Sequence, residues 1–77
     1  TLRGFRLMRM FWVYGSSSCQ WCNEAVRLLK AHGHTVVYMD VGTNRFLRDP
    51  SWKTIPQIFD VGHHVGGYEE LVKYLEV

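Results

Sequence analysis

The feature that most constrains this chain is a change of hydrophobic period within its first half. Residues 9 to 14, RMFWVY, are β-branched and aromatic and read as a buried strand. Gly15 and three serines break the run. From Gln20 to about His32 the period becomes helical: Cys22, Ala25, Val26, Leu28 and Leu29 share one stripe, with Glu24, Arg27 and Lys30 between them. Gly33 reads as the helix stop. TVVYMDV, residues 35 to 41, is a second strand. Two strands joined by a helical crossover must run parallel, and the crossover is right-handed.

The second half adds a hairpin and a closing helix. Residues 42 to 52 form a connector with one short helix around Arg45 to Arg48, limited by Pro50. Gln57–Asp60 and His63–Val65 flank Val61–Gly62, the pattern of a hairpin. Gly66–Gly67 ends it, and Tyr68 to Glu76 is a helix with Leu71, Val72 and Leu75 facing inward. The order β-α-β-α-β-β-α predicts an α/β fold with a four-stranded mixed sheet and helices packed on its faces. Residues 10 to 77 read as one domain, and residues 1 to 9, with Arg3, Arg6 and Arg9, as a leader or added segment.

Composition excludes several classes. Hydrophobic residues at 47% and aromatics at 14% suffice for a core in 77 residues. A net charge of +2 is too mild to argue for nucleic acid. The longest apolar run, Met10 to Tyr14, falls far short of the roughly 18 residues of a membrane span, and no signal-peptide pattern is present. Two cysteines are too few for a secreted disulfide scaffold, which points to the cytoplasm.

Those cysteines are the chemical centre of the sequence. Cys19-Gln20-Trp21-Cys22 stands at the helix start, so the Cys19 sulfur faces free N–H groups and Cys22 lies one turn inside, within bridging distance. Thiol–disulfide exchange needs this arrangement: one thiolate to attack and a second thiol to resolve the mixed disulfide. The helix dipole supplies only about 0.3–1 kcal/mol towards the thiolate. Further stabilisation needs direct N–H bonds or a cation, and Lys53 is the candidate. Other readings stay open here. Zinc requires four ligands, and His32, His34, His63 and His64 lack the spacing to complete a site. An inert buried pair and an iron–sulfur ligand also remain. The βαβ context favours a redox couple.

Two further stretches stand out. In KTIPQIF, residues 53 to 59, a proline precedes a strand. Local sequence alone favours a trans bond, the majority form. A cis bond would turn the Ile55 backbone outward, where it would pair with an extended peptide. In HHVGGYEEL, residues 63 to 71, two glycines precede a helix. They read either as a turn needing positive φ or as a backbone cradle for a carboxylate at the helix start.

Together the three stretches resemble glutaredoxin: C-x-x-C at a helix start, Thr54-Ile55-Pro56-Gln57-Ile58-Phe59 like the family's T-V-P before a strand, and Gly66-Gly67-Tyr68-Glu69-Glu70-Leu71 like its G-G-x-[DE]-[DE]. The likeness runs over residues 10 to 77, and the compact length and W-K-T-I-P stretch are similar to phage-type members. The resemblance implies a compact thioredoxin-like fold, a cis Pro56, Cys19 as nucleophile and Cys22 as resolving thiol. It also implies glutathione as co-substrate, with no metal, in a groove formed by Tyr14, Gln20, Trp21, Lys53, Thr54, Ile55, Pro56, Gly67, Tyr68 and Glu69. In that groove the cysteinyl backbone pairs with Ile55, and the γ-glutamyl carboxylate meets the N–H groups of Gly67, Tyr68 and Glu69. The glycine carboxylate meets a cation such as Lys53.

The departures are informative. This chain reads C-Q-W-C where many members read C-P-Y-C, which frees one N–H at the helix start. Ser16 stands where many carry a lysine. The expected activity is a monomeric, cytoplasmic glutathione-dependent thiol–disulfide oxidoreductase (in the host cytoplasm if phage-encoded). Its partners would be protein disulfides or glutathionylated thiols, with ribonucleotide reductase a client by family analogy. The alternatives are a glutathione-ligated [2Fe–2S] carrier and an electron donor reduced by thioredoxin reductase.

Overall fold

A computed structural model of the chain describes residues 9 to 76. The elements run β1 (Met10–Gly15), α1 (Gln20–Ala31), β2 (Thr35–Asp40), a single 3-10 turn (Arg45–Leu47), β3 (Gln57–Asp60), β4 (His63–Gly66) and α2 (Tyr68–Glu76). The four-stranded sheet has the order β2-β1-β3-β4. β1 and β2 are parallel, as the helical crossover requires, with Val13 opposite Tyr38 and Gly15 opposite Asp40. β3 runs antiparallel to β1 and to β4, so the sheet is mixed. This is the architecture that the order of elements predicts. The short helix expected around Arg45 to Arg48 is a single 3-10 turn capped by Arg48.

The helix boundaries follow from the residues at their ends. α1 starts on Cys19, whose extended backbone makes it the N-cap. At its other end Gly33 takes φ 83, which lets its N–H bond Lys30 O at 3.0 Å while the His34 N–H bonds Leu29 O at 3.1 Å. These two bonds satisfy carbonyls that would otherwise be orphaned. The hairpin turns on Val61 at φ 46 and Gly62 at φ 86, a pair of left-handed residues that suits the twist of the flanking strands. A register irregularity at Ile58/Phe59 follows.

Strand alternation sorts the sheet into two faces. Phe11, Val13 and Ile58 point to one side and are fully buried against Ala25 and Leu29 of α1 and Leu71 of α2. Trp12, Tyr14 and Phe59 point to the other side, where Trp52 from the connector packs against Tyr14 and Phe59. At the far end from the cysteines, buried Asp60 accepts from Arg9 Nη1 at 2.8 Å and from the Tyr74 hydroxyl at 2.6 Å. The expected leader falls outside the described residues except for Arg9, which this bond ties to the sheet. Among the described residues no helix is long and apolar enough to cross a membrane.

Candidate active site

The serine-rich link between β1 and α1 delivers the cysteines to the carboxyl end of β1. The Ser16 O to Cys19 N bond at 3.0 Å closes a turn, and the Asn23 side chain donates to Ser17 O at 3.2 Å, pinning the link against the first turn of α1. Cys19 is partly exposed at the N-cap, and Cys22 sits one turn inside with no exposed surface. Their sulfurs are paired as a disulfide, with the Cα atoms 5.2 Å apart. The Cys22 N–H donates to Cys19 Sγ at 3.1 Å. This is a capping bond made by sulfur, and a thiolate at Cys19 would accept it more strongly than the disulfide sulfur does. The sequence reading placed the Cys19 sulfur among free N–H groups, and the geometry agrees.

Gly15 explains how Cys22 fits. A side chain on Gly15 would meet Cys22 Sγ at 2.6 Å and the Tyr38 hydroxyl at 3.2 Å. The missing side chain is therefore the space that the second cysteine occupies, a role that the sequence reading gave only as a strand end.

The Ile55–Pro56 peptide bond is cis, as the resemblance implies. The Ile55 carbonyl oxygen lies 3.9 Å from Cys19 Sγ. Beside it opens a cleft of about 450 Å³ lined by Trp21, Thr54, Ile55, Pro56, Gly67, Tyr68, Glu69 and Glu70. The Trp21 and Tyr68 rings pack against each other in its wall, with centroids 5.1 Å apart. Three separate stretches of chain thus converge on one side of Cys19, as the three motifs together suggest.

The two glycines divide the roles that were left open. Gly66 has φ 123 and supplies the turn. Gly67 does not need positive φ; its N–H points to Glu70 Oε1 at 3.0 Å and its carbonyl takes the first bond of α2, from Leu71 N at 3.0 Å. Glu70 closes this cap as the third residue of the helix. It lines the cleft and was not among the expected site residues, although the acidic pair after the glycines was its signal.

Three expected groove residues lie outside the cleft. Tyr14 alternates onto the opposite face of the sheet, where its ring packs 5.1 Å from Trp52 and 5.6 Å from Phe59. Gln20, the first residue of α1, is exposed and not part of the lining. Lys53 is exposed just before the lining begins at Thr54. Among the described residues no group of three or more His, Cys, Asp or Glu side chains could hold a metal ion.

The comparisons with known proteins follow the same line. No curated protein sequence matches this chain. Solved structures match in fold. The buckwheat glutaredoxin–glutathione complex is 18% identical, with a TM-score of 0.73 over 86% of this chain and 67% of that chain. Glutaredoxin 1 from Francisella tularensis, complexed with cacodylate, is 20% identical, with a TM-score of 0.67 over 87% and 92%. Reduced Escherichia coli glutaredoxin is 23% identical, with a TM-score of 0.63 over 87% and 93%. The fold, a four-stranded mixed sheet with two helices, is therefore the thioredoxin-like fold of these glutaredoxins. The glutaredoxin family model matches residues 11–65, most of the described sheet together with α1, and the chain belongs to the glutaredoxin family.

Proposed function

We propose that this protein is a glutathione-dependent thiol–disulfide oxidoreductase that cycles between a Cys19–Cys22 dithiol and disulfide. The observation that carries this reading is the cleft of about 450 Å³ lined by Ile55, whose carbonyl oxygen lies 3.9 Å from Cys19 Sγ. Its walls offer what a γ-glutamyl tripeptide needs. The exposed Ile55 backbone suits strand-type pairing with the cysteinyl unit. The N–H groups of Tyr68 and Glu69 at the start of α2 suit a carboxylate, that of Gly67 being taken by Glu70. Glu69 and Glu70 suit an ammonium group, and Trp21 and Tyr68 supply an apolar wall. The buckwheat relative, solved as a glutathione complex, supports the assignment by analogy. Lys53, exposed just outside the lining, is the cation for the glycine carboxylate in this reading.

In the first step the Cys19 thiolate attacks a protein disulfide or a glutathionylated thiol. A new bond forms to Cys19 Sγ, and the leaving sulfur departs as a thiolate with the bonding electron pair. Cys22 then attacks Cys19, releasing the substrate thiol and leaving the intramolecular disulfide. Two glutathione molecules return that disulfide to the dithiol and leave as oxidised glutathione. The capping N–H of Cys22 stabilises Cys19 as nucleophile and as leaving group. Such a cycle belongs in a reducing compartment such as the cytoplasm, and ribonucleotide reductase is a client of the matching chemistry.

The test is glutathione-coupled reduction of a small mixed disulfide by wild type, Cys19→Ser and Cys22→Ser. Loss of turnover with Cys19→Ser, and retention with Cys22→Ser, is expected, because a glutathionylated substrate needs only the first thiol. A wild type that turns over with thioredoxin reductase and not with glutathione would overturn the co-substrate.

A further inference from the structure

Cys22 must form a thiolate to resolve the mixed disulfide, yet it has no exposed surface. A charged sulfur without water needs a donor from the protein. Its own backbone N–H is directed at Cys19 Sγ. Gly15 offers no side chain, and the neighbouring β1 residue Val13 is apolar and buried. A hydroxyl does border this corner, that of Tyr38: a side chain built on Gly15 would meet it at 3.2 Å and Cys22 Sγ at 2.6 Å.

The parallel register sets this up. Tyr38 is opposite Val13 and so shares the helix side of the sheet, at its open edge beside α1. Tyr38 is 37% exposed as a residue, while its hydroxyl borders the space beside Gly15. In the disulfide form the hydroxyl makes no hydrogen bond to any described residue. It is therefore available when reduction separates the sulfurs and leaves charge on Cys22.

We propose that Tyr38 donates a hydrogen bond to the Cys22 thiolate in the reduced and mixed-disulfide states, and so promotes the resolving step. The inference rests on the dithiol cycle proposed above. In the step itself the Cys22 proton leaves to solvent and Tyr38 keeps its own. The Cys22 electron pair forms the bond to Cys19 Sγ, and the Cys19–substrate bond breaks with its pair on the departing sulfur. Burial, and then the nearby Asp40 carboxylate, raise the phenol above its ordinary titration range, so it stays a neutral donor at physiological pH. The other ionisable groups at this corner are Cys19 at the N-cap, Asp40 on β2, and Lys30 of α1, which lines the same shallow groove as Tyr38.

The experiment follows the reduced protein reacting with an aromatic disulfide that releases a coloured thiolate, by stopped flow across pH. Wild type should release one equivalent as Cys19 attacks and a second as Cys22 resolves. In Tyr38→Phe the first phase should be unchanged. The second should slow by about tenfold, the loss of one hydrogen bond to a charged atom, with its pH midpoint moved upward. In a Cys22→Ser background, adding Tyr38→Phe should change nothing. A second phase that keeps its rate and pH midpoint in Tyr38→Phe overturns the proposal, and so does equal slowing of both phases. Because the assay contains no glutathione, its outcome is separate from that of the co-substrate reading. Two intact phases without glutathione turnover would overturn the latter alone.

Discussion

The two faces of this sheet are built from the same strands and obey different rules. On the helix side Phe11, Val13 and Ile58 are sealed beneath Ala25, Leu29 and Leu71, and even the absent side chain of Gly15 is filled by Cys22. On the opposite side Trp12, Tyr14, Trp52 and Phe59 remain partly exposed; Tyr14, Trp52 and Phe59 meet ring to ring, with His64 stacked 4.7 Å from Phe59. The first face positions reacting atoms, because the cysteine pair hangs from a helix that cannot shift without opening voids. The second covers the sheet with large, tolerant surfaces. The difference teaches where precision in this small domain resides: in the layer between α1 and β1, and not in the aromatic layer behind it.

The sharpest way to break the comparison is Leu29→Ala. The side chain is fully buried between α1 and the sheet, so its loss should cost about 2–5 kcal/mol through lost transfer and a residual cavity. Urea unfolding checks this, and the rate of the coloured-disulfide reaction should fall with it as α1 loosens. Trp52→Ala is the matching change on the other face. It removes ring contacts at 5.1 Å to Tyr14 and 6.0 Å to Phe59 and should cost less, about 1–2 kcal/mol. Reactivity at Cys19 should stay within about twofold, since the site lies across the sheet and distant sites are nearly independent. If Trp52→Ala impaired the thiol chemistry as much as Leu29→Ala, the division between the faces would be wrong.

The sequence carried the backbone plan and left out the lateral contacts. The switch from a strand period to a helical period at Gln20, and Gly33 as its stop, are local signals, and both appear in the fold at those residues. The hairpin around Val61–Gly62 was legible for the same reason. The convergence of Trp21, Thr54–Pro56 and Gly67–Glu69 on one cleft was legible only through the family resemblance, because no local rule brings residues so far apart together. Tyr14 shows the limit. Near Cys19 in sequence, it was expected in the groove, and strand alternation sends its ring to the other face. Tyr38 shows the converse: its approach to Cys22 depends on the β1–β2 register, which periodicity does not fix. Likewise the acidic residue of the final motif that closes the Gly67 cap is Glu70, a matter of helix geometry once the start of α2 is known.

The smallest effect lies at the end of the sheet remote from the cysteines, where buried polarity is held by side chains rather than by a helix start. Asp60, 7% exposed, is satisfied by Arg9 and by the Tyr74 hydroxyl. The hydrogen bond to Asp60, then burial and the carboxylate's charge, raise the Tyr74 phenol above its ordinary range. A group whose titration is raised by folding adds stability below its unfolded value, about pH 10, and that contribution is lost as pH climbs through the folded value. Tyr74→Phe should therefore cost about 0.5–1 kcal/mol at neutral pH, the low end for a single hydrogen bond because Arg9 still serves Asp60. Above about pH 10 the gap between wild type and variant should close, since wild type loses there what the variant never had. Tyr38 is raised by burial as well, so the variant should keep part of the alkaline decline. Urea midpoints at pH 7 and across the alkaline range measure this directly. A gap that stays constant with pH would mean that the Tyr74–Asp60 bond adds nothing, and that this corner is held by the Arg9–Asp60 pair and by packing.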